Sequence, residues 1–283
     1  MTTAARAAVA RLAGAAVSAD PGPSAPVIVL APAYSGASRV RSLLEGRPDL
    51  ACTSGTGMLP LCEQALATWQ SVDRRPSGQP SSLATTSTRA MTASVMIAIL
   101  AREGKRRWCE VAAANPRAAE AFLRLYPETR FLCLYRACPG VIRAVLDASP
   151  WGITDLTFAP FTSKYPANTA AALTAYWITA TAPLLDFERE HPQACLRVRF
   201  EDLAEGRDTE DRITSFLGLA DAVPQPTLDG LSGTVFQSPP GIEQLSPDTE
   251  SAADLPADLI PPALLAQAND LLRKLDYPLI GAG

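Results

Sequence analysis

The segment Val27-Ile-Val-Leu-Ala31 runs into Pro32-Ala-Tyr-Ser-Gly36 and then into Ala37-Ser-Arg-Val-Arg-Ser-Leu-Leu44. A β-branched run that ends in a tight small-residue turn and opens at once into helical spacing constrains the chain more than any other stretch. It reads as strand, loop and helix N-terminus, the arrangement whose free backbone N–H groups and helix dipole hold oxyanions. Ser35, Gly36, Ala37 and Ser38 are therefore candidate anion ligands, with Arg39 at the helical end of the loop and Tyr34 at its tip.

The alternation continues along the chain. Short apolar runs at 108–111, 130–135 and 195–200 read as further strands, and helical spacing covers about 37–46, 59–70, 91–103, 116–126, 139–148, 168–190, 209–217 and 262–274. Asn115 and Pro116 are placed as cap and first residue of one of these helices. Residues 50–60 read as a Gly/Thr-rich loop, 149–167 show no period, and 73–82 and 222–262 are Pro/Ser/Gly-rich loops. Strands alternating with helices give an α/β fold, a parallel sheet flanked by helices on both faces. Ligands in such sheets bind beyond the carboxyl ends of the strands, here the loops at 31–38, 111–115, 136–140 and 201–206. Arg136, closing the run Arg130-Phe-Leu-Cys-Leu-Tyr135, is thus a further anion-binding candidate.

With 283 residues and 47% hydrophobic content the chain can bury one large α/β core. Residues 1–26 read as an N-terminal helix and linker and 27–283 as the α/β domain. A net charge of −4, without long runs of one sign, points to neither nucleic acid nor an anionic membrane as partner. No stretch reaches the roughly 20 apolar residues of a membrane span. Ala16-Val-Ser-Ala19 imitates a cleavage site, but Arg11 interrupts the apolar centre that a leader requires. Cysteines 52, 62, 109, 133, 138 and 195 lack metal-ligand spacing, so no metal is expected, and they read as reduced thiols of a cytoplasmic protein.

Four pieces occur in order: the loop at 34–39, Phe131-Leu-Cys-Leu-Tyr-Arg136, Leu196-Arg-Val-Arg-Phe-Glu-Asp-Leu203 and Phe216-Leu-Gly-Leu219. The loop lacks the Gly-Lys-Ser/Thr of an ordinary nucleotide triphosphate site. Together the pieces resemble the PAPS-dependent sulfotransferase family of bacterial type, over about residues 27–219. That family follows its first strand with a loop of basic residue, Ser, Gly, small residue and Ser/Thr. It later has a strand ending in Arg-Asp-Pro, a strand ending in Tyr/Phe-Glu-Asp-Leu and a helix ending in Phe-Leu-Gly. The resemblance implies a P-loop-like sulfotransferase fold and PAPS as donor, held by Ser35, Gly36, Ala37, Ser38, Arg39 and Arg136. It also implies sulfonate transfer to a small-molecule acceptor, secondary metabolites included.

The departures concern charge. The family's basic residue before Ser-Gly falls on Tyr34, its Lys after Trp-x-Asp/Glu on Val111, and its Ser eight residues after the Arg on Ala144; Ala137-Cys138-Pro139 replaces Asp-Pro. Each charge-assisted hydrogen bond to a polyanion contributes roughly 1.5–3 kcal/mol, so the missing cation weakens the case for PAPS. Arg41 and Arg143 are compensating cations if they turn inward. For the base that takes the acceptor's proton, Glu63 and Glu110 are the candidates, and Cys138 is a weaker candidate nucleophile. Tyr176 and Trp177 read as helix packing. Three functions remain open: a PAPS-dependent sulfotransferase, a repurposed enzyme of that fold acting on an acyl or carrier-bound substrate, and a non-catalytic binding protein. A carrier protein and a second copy of the chain are the open macromolecular partners.

Overall fold

The computed structural model describes residues 25–73, 82–205, 207–219 and 257–281. The N-terminal helix expected over 1–19, most of the linker before Pro26, the loop at 74–81 and the loop from 222 to 256 lie outside the described residues.

Five parallel strands form one sheet: β1 (Val27–Ala31), β2 (Leu50–Ser54), β3 (Arg107–Ala113), β4 (Arg130–Tyr135) and β5 (Cys195–Arg199), in the spatial order β2-β3-β1-β4-β5. From β1 the chain passes to the edge strand β2 and returns to β3 between the two, then restarts on the other side of β1 with β4 and β5. That reversal puts a topological switch at the junction of β1 and β4, where Val27 lies opposite Arg130 and Leu30 opposite Cys133. All five residues of β1 are buried, as a central strand covered on both faces requires.

The period-two alternation of the strands sorts side chains into two cores. On one face Ile28, Leu30, Trp108, Phe131, Cys133 and Tyr135 meet α2 (Met58–Asp73), α3 (Ser82–Glu103), α4 (Pro116–Leu125), α5 (Cys138–Ala148), α7 (Thr169–Glu190) and α10 (Pro262–Lys274). On the other, Val27, Val29, Val111, Leu132, Leu134 and Val198 meet α1 (Ala37–Glu45), α8 (Phe200–Glu205) and α9 (Arg207–Leu217). The expected parallel α/β sheet flanked by helices is present. Local signals acted as anticipated at Asn115, whose side chain accepts from the Ala118 amide at 3.2 Å and starts α4 on Pro116.

Three expectations need correcting. Residues 50–54 are the edge strand β2 and not loop: five residues, one of them β-branched, gave no alternation, and the strand is held by β3 alone. Within 149–167 a short helix, α6 (Ala159–Lys164), follows Phe158. Leu83–Glu103 is also long and apolar enough, by length and composition, to cross a membrane, which no stretch was expected to be. Its buried side carries Ala84, Met96 and Leu100, and buried Thr92 meets the Tyr126 hydroxyl at 2.7 Å.

Glu110, a candidate base, serves the fold instead. Its side chain, 2% exposed, accepts hydrogen bonds from the Thr53 hydroxyl and from the Thr56 amide and hydroxyl, both of the latter at 2.9 Å. Thr56 in turn accepts from the Met58 amide at 3.2 Å, so one carboxyl pins the turn that starts α2. With both oxygens committed and water excluded, it is not placed to receive a substrate proton. Burial raises its pKa, and the Thr53 and Thr56 bonds and the Arg41 charge pull it back. A carboxyl raised on folding supports the fold fully below its unfolded value of about 4.3, and that support is lost as pH rises through the folded value. Glu110→Gln retains the shape without the titration. Urea unfolding is expected to show the variant gaining on the wild type as pH rises from about 4 to about 7; a constant difference would contradict the raised pKa.

Candidate active site at the junction of β1 and β4

The loop leaves β1 at Pro32 and folds back on itself before α1 begins. The Pro32 carbonyl accepts both the Ser35 amide at 3.2 Å and the Ser35 hydroxyl at 2.7 Å. Ser35 is 1% exposed, so its side chain shapes the turn and does not project toward a ligand, contrary to its expected role. Tyr34 (φ 64°) and Gly36 (φ 89°) bracket it in left-handed conformation. For Gly36 this freedom is needed twice, because a Cβ there would also lie 2.1 Å from the Phe200 ring.

The helix start is the part of the loop whose backbone stays open. Gly36 caps α1 without a side-chain hydrogen bond, and no acidic residue occupies the first turn. Among the described residues no acceptor takes the amides of Gly36, Ala37 and Ser38, whereas Arg39 N–H bonds the Gly36 carbonyl at 3.1 Å. Three unsatisfied N–H groups at the positive end of a helix dipole, beyond the carboxyl end of a central strand, form an oxyanion cradle. Ser38 and Arg39 are half-buried beside it.

Arg136 follows β4 directly and reaches across the junction to the loop. Its Nη1 donates to the Tyr34 carbonyl at 3.2 Å, its Cζ lies 4.2 Å from the centre of the Phe200 ring, and the residue is 7% exposed. Gly140, in the first turn of α5, leaves room for this path, since a Cβ there would lie 3.1 Å from Arg136 Nε. Burial works against the Arg136 charge, and the field of Glu201 supports it. The guanidinium thus braces the loop backbone from below and does not stand open to the crevice. Behind it, Trp177 Nε1–H donates to the Arg136 carbonyl at 2.9 Å, and Glu201 accepts from the Ala137 amide at 2.9 Å and the Tyr277 hydroxyl at 2.7 Å.

Tyr34 turns its ring toward α6 and α7, with its centroid 5.6 Å from that of Phe158; Phe158 packs edge-on to Tyr176 at 4.8 Å. The Tyr176 hydroxyl accepts the Ala33 amide at 2.8 Å. Tyr176 and Trp177, expected to be packing alone, are thus the two side chains by which α7 fixes the loop and the Arg136 backbone. No sequence spacing announces this, because it depends on α7 crossing the junction. Asp155 is the other residue that pattern reading missed. Its Oδ1 accepts from the Thr157 amide at 2.8 Å, its Oδ2 is buried without a hydrogen-bond partner, and its charge acts on Tyr34 and Tyr176. Burial first, and Asp155 second, raise the Tyr34 pKa, which keeps that hydroxyl a neutral donor.

The remaining candidates lie elsewhere. Glu63 is half-buried on α2 and belongs to none of the hydrogen bonds that hold the loop. Cys138 is fully buried and its thiol is pushed up to about 12 by burial, which rules out the nucleophile. Arg143 pairs outward with Asp147 at 2.9 Å and so does not replace the missing cation, whereas Arg41 pairs with Glu45 and reaches inward to the buried Ser54 hydroxyl at the end of β2, where its charge acts on Glu110.

Residues 26–222 match the sulfotransferase family. The chain belongs to the sulfotransferase family. Among solved structures it is similar to the sulfotransferase domain of the Synechococcus PCC 7002 olefin synthase, at 18% identity and TM-score 0.56, covering 91% of this chain and 96% of that one. Sulfotransferases from Alicyclobacillus acidocaldarius (12% identity, TM-score 0.48, 90% and 97% covered) and Mycobacterium avium (12%, 0.46, 97% and 82%) also match. A comparison with curated proteins gave no match. The fold is a sulfotransferase fold, and the open helix start lies in the loop at 34–39 that the sequence likens to the family's. Within this family member, however, Val111 and Ala144, which stand at two of the family's polar positions, are 2% and 1% exposed and belong to the packing. The backbone of the cradle fits an oxyanion, while the side chains supply less positive charge than a polyanionic donor asks for.

Gly36→Ala is expected to cost about 2–4 kcal/mol, combining the left-handed backbone with the collision on Phe200. In a Phe200→Ala background the same change should cost only about 1 kcal/mol. Equal costs in the two backgrounds, by chemical denaturation, would remove Phe200 from the support of the loop.

Proposed function

We propose that the chain transfers a sulfonate from PAPS to a hydroxyl or amine of a small-molecule acceptor, free or carrier-bound, at the junction of β1 and β4. The observation that carries this reading is the uncapped start of α1, where the Gly36, Ala37 and Ser38 amides converge at the family loop. Those amides would hold the oxygens on which charge builds in the transition state, and such preorganised donors are a large part of catalysis of group transfer. Tyr34, at the position of the family's basic residue, would add a neutral hydrogen bond. Asp155, the carboxylate whose charge reaches Tyr34 and whose Oδ2 has no partner, takes the role of proton acceptor that Glu110 cannot fill.

A second reading keeps the fold and replaces the donor by a less anionic ligand. It is favoured by Arg136, whose guanidinium is spent on the Tyr34 carbonyl and the Phe200 ring. The two readings separate in a calorimetric titration with adenosine 3′,5′-bisphosphate at low salt. The proposal predicts measurable binding, tightened about tenfold or more in Tyr34→Lys by one charge-assisted bond. It further predicts that Asp155→Asn does not weaken this affinity while cutting sulfonate transfer about a hundredfold or more. No heat with either the wild type or Tyr34→Lys would overturn the donor and leave the second reading.

A further inference from the structure

The loop occupies the carboxyl edge of the sheet; a cleft of about 630 Å³ opens at the opposite, amino edge, where β1, β3 and β4 begin and α9 ends. Arg107 and Arg130 line it. Arg107 donates through Nε to the Ala25 carbonyl and through Nη1 to the Leu217 carbonyl at the C-terminus of α9. Arg130 donates through Nη1 to the Gln193 carbonyl, and its guanidinium lies 5.5 Å from the centre of the Phe216 ring. A guanidinium carries five N–H donors, so both side chains keep donors beyond these backbone bonds. Neither makes an ion pair with a carboxylate among the described residues. Of the acids on the rim, Glu128 faces Arg89 at 3.6 Å, and Asp49 accepts the Arg106 and Arg107 amides through its carbonyl.

Two half-buried cations in one cleft, neither ion-paired to a carboxylate among the described residues, are an unusual arrangement, because like charges disfavour one another. The effect is visible on Arg107, whose pKa is lowered first by burial and then by the Arg130 charge. An anion seated between them removes that repulsion and takes the spare donors in the forked geometry guanidinium offers to phosphate, sulfate and carboxylate. Beside the two arginines the wall is mixed, with Ala25, Pro127, Phe216 and Leu217 as its apolar part and Asp49, Arg106 and Glu128 on the rim.

We infer that this cleft is a second ligand site, binding a small anionic molecule whose phosphate, sulfate or carboxylate head sits between Arg107 and Arg130 and whose apolar body rests on Phe216. The site is independent of the β1 loop, and its existence does not rest on the donor proposed there. Inorganic sulfate and hexyl sulfate are the probes for calorimetry, and crystals soaked in selenate locate the head by its anomalous signal. The expected result is a selenate peak between the two guanidinium groups and hexyl sulfate binding at least tenfold tighter than sulfate. Arg130→Met is expected to weaken hexyl sulfate at least tenfold, while sulfate held at the β1 loop would not respond. Arg107→Lys keeps a cation for the fold, removes the fork, and should weaken binding in the same direction. No peak in the cleft, or affinities within twofold of wild type in both variants, would overturn the site; equal affinities for the two probes would overturn its apolar part.

Discussion

The contact on which the rest depends is the Arg136 guanidinium crossing from the end of β4 to the Tyr34 carbonyl, with the Phe200 ring beneath it. It ties together three chain segments that meet at the switch in strand order: the β1 loop, the β4 end and the β5 end. Gly36 and Gly140 are where side chains would obstruct this packing. Trp177 and Glu201 then fix the backbone on either side of the arginine, and Tyr176 fixes the start of the loop. The helix start at Gly36 to Ser38 is held open as a consequence, because the residues around it already have their partners.

This arrangement separates two tasks that one basic side chain usually combines. A cation can hold a loop or neutralise a ligand, and Arg136, 7% exposed, is used for the first. An oxyanion bound at this junction would be left to backbone amides, which need no charge of their own and no desolvation of a side chain. The two edges of the sheet thus differ in kind: amides and a helix dipole at the carboxyl edge, and at the amino edge the Arg107 and Arg130 guanidinium groups, whose bonds among the described residues run to backbone carbonyls.

Much of the fold was legible in the sequence because its signals are local. The β-branched run at 27–31, the Asn115-Pro116 helix start and the order of the motifs were enough for a parallel α/β sheet of sulfotransferase type. β2 escaped because an edge strand of five residues with one β-branched side chain carries no period and takes its form from β3. The candidate site was legible where backbone decides it, at Gly36, Ala37 and Ser38. It was not legible where tertiary contacts decide it. Ser35 turns inward to Pro32, Glu110 is consumed by Thr53 and Thr56, and Asp155 gains its place only because the segment before α6 folds over Tyr34.

The most direct measurement is an amide-detected NMR titration of the isotope-labelled protein with adenosine 3′,5′-bisphosphate at low salt. Binding at the open helix start predicts that the amide resonances of Gly36, Ala37 and Ser38 shift most, with Ser35, already bonded to Pro32, shifting less. Shifts confined to other regions, with those three amides unmoved at saturation, would contradict the backbone cradle.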